Sequence, residues 1–150
     1  MWKLKNYKFG VNLSAVFIFA FIMIPSTMWM LYPAPHDVLR LQEAVPVLES
    51  LQNALRFLMV PSLIFIVNRE YHPPVDTKSM VGICFSYLVY GACWGFYYLG
   101  FSGPIVILIL CIAPSLCFVI EGWARKNGPG FVLSLIFLIL HTLWGVLKFL

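Results

Sequence analysis

The chain has 150 residues and a formal net charge of +4; 61% of its residues are hydrophobic and 11% are charged. A water-soluble domain carries about 25% charged residues, so this composition excludes an ordinary soluble domain and points to a membrane protein. The positive charge is no nucleic-acid footprint: no basic run is long enough, and most Lys and Arg residues flank apolar segments, where they set topology.

Five apolar segments predict an all-α polytopic membrane helix bundle, a single transmembrane domain over 1–150 with the lipid bilayer as its solvent. The first span covers about 9–32. Lys3, Lys5 and Lys8 precede it as in a signal sequence. No small-x-small cleavage pattern follows, so it reads as an uncleaved first span. A connection over 33–45 is rich in charge and proline. Asp37 is placed there as the N-cap of a short helix, with Val38, Leu41 and Val45 on one face. His36, Asp37 and Arg40 make this segment a candidate lid; an interfacial connector is the plainer reading.

The second span covers 46–67, with Pro46 in the first turn and Glu49 near the positive end of the helix dipole. The loop over 68–78 carries Pro73-Pro74, a stiff extended piece that is either solvated or meets a cytoplasmic partner. The third span covers 79–101. Its small residues Gly82, Ser86, Gly91, Ala92 and Gly95 allow close helix approach. Its Trp94, Phe96, Tyr97, Tyr98 and Phe101 read as an interfacial belt. Ser102-Gly103-Pro104 is a tight turn into the fourth span, 104–122. There Glu121 and Arg125 form a surface pair four residues apart. The fifth span, 129–150, opens on proline. Spans three to five are therefore consecutive antiparallel neighbours.

Orientation follows from the basic residues. Lys3, Lys5, Lys8, Arg69, Lys78, Arg125 and Lys126 fall on one side, against Arg40, Arg56 and Lys148 on the other. The excess belongs in the cytoplasm, which puts the N-terminus inside and the C-terminus outside.

Arg56 is the residue that composition does not explain. It stands eleven residues before Val67, or about 16 Å along a helix, near the middle of a core about 30 Å thick. A central charge on a spanning helix costs about 2.5–3.5 kcal/mol on insertion scales. A partner, a hydrated pocket or a snorkel to the outer interface must offset that cost. Glu49, Asn53 and Arg56 share one helix face, and Pro25, Pro61 and Pro114 interrupt three spans, where kinks open cavities. His141 lies at a similar depth in the last span and is the other candidate ligand-binding residue. A neutral His bonded between helices is its plainer role.

Cys84, Cys93, Cys111 and Cys117 come singly inside apolar segments, so packing thiols are expected rather than disulfides or zinc. A soft-metal group of Cys93, Cys111 and His141, with Met59, is the remote alternative; otherwise no metal and no cofactor is expected. HExxH, GxSxG and phosphate-cradling glycine loops are missing, which leans against an enzyme.

The stretch 24–40, Ile-Pro-Ser-Thr-Met-Trp-Met-Leu-Tyr-Pro-Ala-Pro-His-Asp-Val-Leu-Arg, and Phe-Tyr-Tyr-Leu-Gly at 96–100 resemble small, uncharacterised multi-span integral membrane proteins of bacteria, mostly Gram-positive. The resemblance implies a bacterial plasma membrane and a multi-span fold, and no substrate, cofactor or site residue.

The expectation is a small integral membrane protein with an outward-facing polar pocket of Arg56, His141, Glu49 and Asn53. The pocket binds or senses a small polar or anionic molecule, with transport as a further use. The alternative is a structural subunit that packs against a second copy or another membrane protein. A third class is a lipid-acting enzyme with His141 as acid or base.

Overall fold

A computed structural model describes residues 6–41, 45–70 and 75–150, without the side chain of Leu41. Lys3, Lys5, Glu43 and Pro73-Pro74 lie outside the described residues.

Helix starts are where the sequence writes them. Proline opens α3 (Pro46–Phe65) and α5 (Pro104–Ala124) and stands in the first turn of α6 (Gly128–Phe149). Its missing N–H is no loss there. Asp76 caps α4 (Thr77–Tyr98), accepting from Ser79 N at 3.1 Å and Ser79 Oγ at 2.7 Å. Those bonds hold the exposed Asp76 carboxyl below its usual pKa range. Asn127 caps α6 by accepting from Gly130 N at 3.0 Å. The first helix, α1, covers Leu13–Leu31, and the one-turn α2 covers Val38–Leu41.

Four helices, α1, α4, α5 and α6, are long and apolar enough to cross a membrane. With 20 residues, α3 is as long as they are but more polar in its first half. Most of the chain is helical, as expected.

The fold corrects the expected boundaries at one end. Phe9, placed in the first span, belongs to β1 (Tyr7–Phe9); Ile66 and Val67, placed in the second, belong to β2 (Ile66–Asn68). The strands pair antiparallel with Tyr7 opposite Asn68 and Phe9 opposite Ile66. Pairing continues past them through Asn12 N to Ile64 O at 2.8 Å and Arg69 N to Asn6 O at 2.7 Å. β-Branched Ile66 and Val67 favour the extended backbone, and Phe9 stacks on Phe65 at 5.5 Å. The ribbon ties the start of α1 to the end of α3. The third span also moves: α4 starts at Thr77, behind the Asp76 cap, and ends at Tyr98, not Phe101.

The most buried helix is α5, packed between α4 and α6, with α3 on the far side of α6. Gly122 permits the tightest approach. A Cβ there would stand 2.8 Å from the Phe131 Cα, so α5 and α6 touch backbone to backbone. α1 leans across this row, tied at its two ends and, midway, by Tyr90 OH to Ile22 O and Ser26 Oγ.

The strand end is sealed by polar bonds. Glu121 is fully buried, and its Oε1 accepts from Asn12 Nδ2 at 2.9 Å, from Ser14 Oγ, and from Arg125 Nε at 3.4 Å. The expected pair with Arg125 is present, but its acid is not on the surface. Asn127 Nδ2 donates to Ser62 O at 2.8 Å and Ile66 O at 2.9 Å, tying α3 to α6. Tyr7 OH accepts from Gly128 N at 3.0 Å.

Candidate functional site

Apart from the Tyr90 contact with Ile22 and Ser26, α1 leaves a space beside α3, α4, α5 and α6. The gap is a cavity of about 400 Å³. Small-molecule pockets fall in the range of about 300–1,000 Å³. Its floor is apolar, with Met59 and Ile107 almost fully buried. Of the three interior prolines, only Pro114 lines it.

Arg56 and His141, both singled out from the sequence, line this cavity. Arg56 is exposed, with its guanidinium 5.7 Å from the centre of the Phe137 ring. Among the described residues it has no carboxylate partner. Its charge is within electrostatic reach of Tyr90 and His141.

His141 lies stacked between Phe137 at 5.1 Å and Trp144 at 5.8 Å. Its Nδ1 is 2.7 Å from Gln52 Oε1. Gln52 Nε2 donates to Leu140 O at 3.4 Å, which fixes the amide with its oxygen toward the ring. An amide oxygen only accepts, so His141 Nδ1 carries a proton and donates it to Gln52.

Glu49 and Asn53 do not line the cavity. Glu49 Oε1 accepts from Trp144 Nε1 at 3.2 Å and pairs with Lys148 Nζ at 3.6 Å. Asn53 is exposed. The reason is helical phase. Gln52, Leu55, Met59 and Leu63 are the buried side chains of α3, and one residue along a helix turns about 100°. Asn53 therefore points away from the face that Gln52 buries.

The connector closes the end of the cavity opposite the strands. Asp37 was expected to cap α2 with its side chain. Instead the carboxylate accepts from Trp29 Nε1 at 2.9 Å and Tyr97 OH at 2.7 Å and pairs with Arg40 Nε at 3.1 Å. Arg40 also donates to Trp29 O at 2.8 Å and Met30 O at 3.0 Å. Leu39 reaches the cavity wall, whereas His36 stays exposed beside Gly100.

Sequence reasoning missed Gln52, Tyr90 and Trp94. Tyr90 is buried, with its hydroxyl 2.9 Å from Ser26 Oγ and 3.3 Å from Ile22 O. Trp94, read as part of a belt, is 8% exposed, and its Nε1 makes no hydrogen bond. The available signal was the spacing of Tyr90, Trp94 and Tyr97, which puts all three on one face of α4.

Among the described residues no three His, Cys, Asp or Glu side chains converge as a metal site. Cys111 and His141 line the cavity; Cys93 is buried but does not. Comparison with protein-family models, curated proteins and solved structures finds no match for this chain.

Proposed function

We propose that the chain is a five-span plasma-membrane protein, N-terminus inside and C-terminus outside, whose cavity binds or senses a small polar or anionic ligand. One observation carries this reading: Arg56, midway along α3, lines a cavity and has no acid beside it among the described residues. An intramembrane charge without a protein partner is a functional signal. The orientation rests on Lys8, Arg69, Lys78, Arg125 and Lys126 gathering toward the strand end, which belongs in the cytoplasm. The cavity then faces outward, under the connector. Sensing is favoured over transport, because the sequence shows no inverted repeat of the kind carriers use.

The test is thiol labelling at position 56, using Arg56→Cys in a protein whose four native cysteines are replaced. A small membrane-impermeant reagent applied from outside should label it. Protection from that side sinks the outward-facing hydrated cavity.

A second reading, a structural subunit of a larger membrane complex, is favoured by one face of α4. Gly91, Ala92 and Gly95 are exposed, and a Cβ at either glycine would meet nothing within 4 Å. A partner helix seated there should co-purify in stoichiometric amount and be lost on Gly91→Leu. Purification of the intact protein without such a partner removes this reading.

A further inference from the structure

The cavity sits among three indoles and three cations, and their partners follow a pattern. Trp29 Nε1 donates to Asp37, and Asp37 is neutralised by Arg40. Trp144 Nε1 donates to Glu49, and Glu49 is neutralised by Lys148. Each unit joins an indole, a carboxylate and a cation. Trp94 and Arg56 are the remaining indole and cation of the cavity wall. Trp94 Nε1 is buried without an acceptor, and Arg56 has no acid among the described residues. Tyr90 stands between them, edge-on to Trp94 at 6.3 Å and within electrostatic reach of Arg56. Its hydroxyl donates to Ile22 O and lies 2.9 Å from Ser26 Oγ, and Trp94 Nε1 meets no acceptor at hydrogen-bond geometry among the described residues. A buried N–H without an acceptor is costly, and native proteins seldom keep one.

We infer that the missing member of the third unit comes from the ligand: the cavity takes a monocarboxylate with a compact apolar body, its acid on Arg56 and Trp94. This rests on the ligand-binding reading above and narrows it to one chemical class. A guanidinium and an N–H both donate, so the group between them must accept and carry negative charge. Among the described residues no Asp or Glu lines the cavity, so an amine finds no counter-ion among them. Apart from Ser26, Cys111 and His141, none of which is a fixed charge, the rest of the wall is aliphatic, aromatic or methionine, including Met23, Met59, Leu110 and Phe118. A second charge on the ligand would therefore be buried without a partner. A volume of about 400 Å³ holds about a dozen non-hydrogen atoms, taking about 30 Å³ for each. An acyl chain drawn from the bilayer and a small aromatic acid from water both satisfy this chemistry.

The experiment is calorimetric titration of the full chain in nanodiscs, with empty nanodiscs subtracted. The probes are octanoate and phenylacetate, each beside its neutral alcohol, with octylammonium as the cation control. At least one acid should bind saturably and about tenfold or more tighter than its alcohol. Binding of octanoate alone identifies the acyl source, and binding of phenylacetate alone the aromatic one. Arg56→Gln should remove the preference for acid over alcohol; Trp94→Phe should weaken acid binding more than alcohol binding. Arg56 has no described acid to lose, so the Gln variant should fold; equal melting temperatures check this. Arg56→Lys, which keeps the charge, should retain part of the preference. Equal binding of acid and alcohol, a preference that survives Arg56→Gln, or no saturable binding of either acid overturns the inference. Labelling at position 56 separates the two failures. A labelled site that binds neither acid leaves the hydrated cavity standing, and an unlabelled one removes both.

Discussion

The strand end and the cavity use the same kinds of residue to opposite effect. At the strand end Asn12, Ser14 and Arg125 all converge on Oε1 of a buried acid, Glu121, whose Oε2 is buried without a described partner, and Asn127 closes onto two carbonyls, of α3 and β2. At the cavity, a cation lines open space with no acid beside it among the described residues, and the indole N–H of Trp94 is buried without an acceptor. A buried charge that lacks its partner weakens a fold, whereas a paired one locks elements in register. The strand end is thus built to hold α1 against the bundle, and the cavity is built to be completed by something else. The contrast teaches where to look for function: at a cation that lines open space without an acid, not at the acid with the densest bonding.

The largest expected effect falls on the strand end. Glu121→Ala leaves Arg125, Asn12 and Ser14 without their shared acceptor. It should destabilise the protein by about 3 kcal/mol, the low end of the range for broken buried pairs because Arg125 keeps some exposure. Denaturant unfolding in detergent measures this; a loss below 1 kcal/mol would mean the end is not a latch. Arg56→Ala in the cavity should shift stability by less than about 1 kcal/mol in either direction, because no described ion pair is lost. A large loss there would equate the two regions and erase the comparison.

Next comes Gly122→Ala. Its Cβ would press on the Phe131 backbone at 2.8 Å, so α5 and α6 must part. Overpacking of this kind costs about 1–3 kcal/mol. The same exchange at Gly95, which faces open space, should be neutral or slightly stabilising. Melting temperatures of the two variants test the difference.

Much of this architecture was legible in the sequence. Length and hydropathy marked the helices, and prolines and glycines marked their turns. Arg56 and His141 stood out because charge and imidazole are rare in apolar segments, and both line the cavity. What stayed hidden depended on phase and on distant partners. The β1–β2 ribbon could not be read from three-residue strands beside long apolar helices, since their pairing joins residues about sixty apart. Glu121 looked like a surface acid because its Arg125 neighbour is local, while Asn12 and Ser14, its other partners, sit more than a hundred positions away. Trp94 looked like an interfacial anchor because composition says nothing about whether an indole N–H has found an acceptor.

Phase also supplies the smallest and sharpest prediction. Gln52 and Asn53 are adjacent amides on α3, equally polar and equally plausible from the sequence. Gln52 holds His141 Nδ1 at 2.7 Å and is 4% exposed. Replacing it with Ala removes the acceptor that fixes the imidazole tautomer and opens a void beside Leu140. The loss should be about 1–2 kcal/mol. Ring nitrogen shifts of His141 in a nitrogen-15 spectrum should move from one defined tautomer toward a mixture. Asn53→Ala touches no described bond and should change stability by less than about 0.5 kcal/mol, leaving the His141 spectrum unaltered. If the two variants behave alike, α3 is rotated from the phase described, and Arg56 would turn with it, out of the cavity and toward the surrounding lipid.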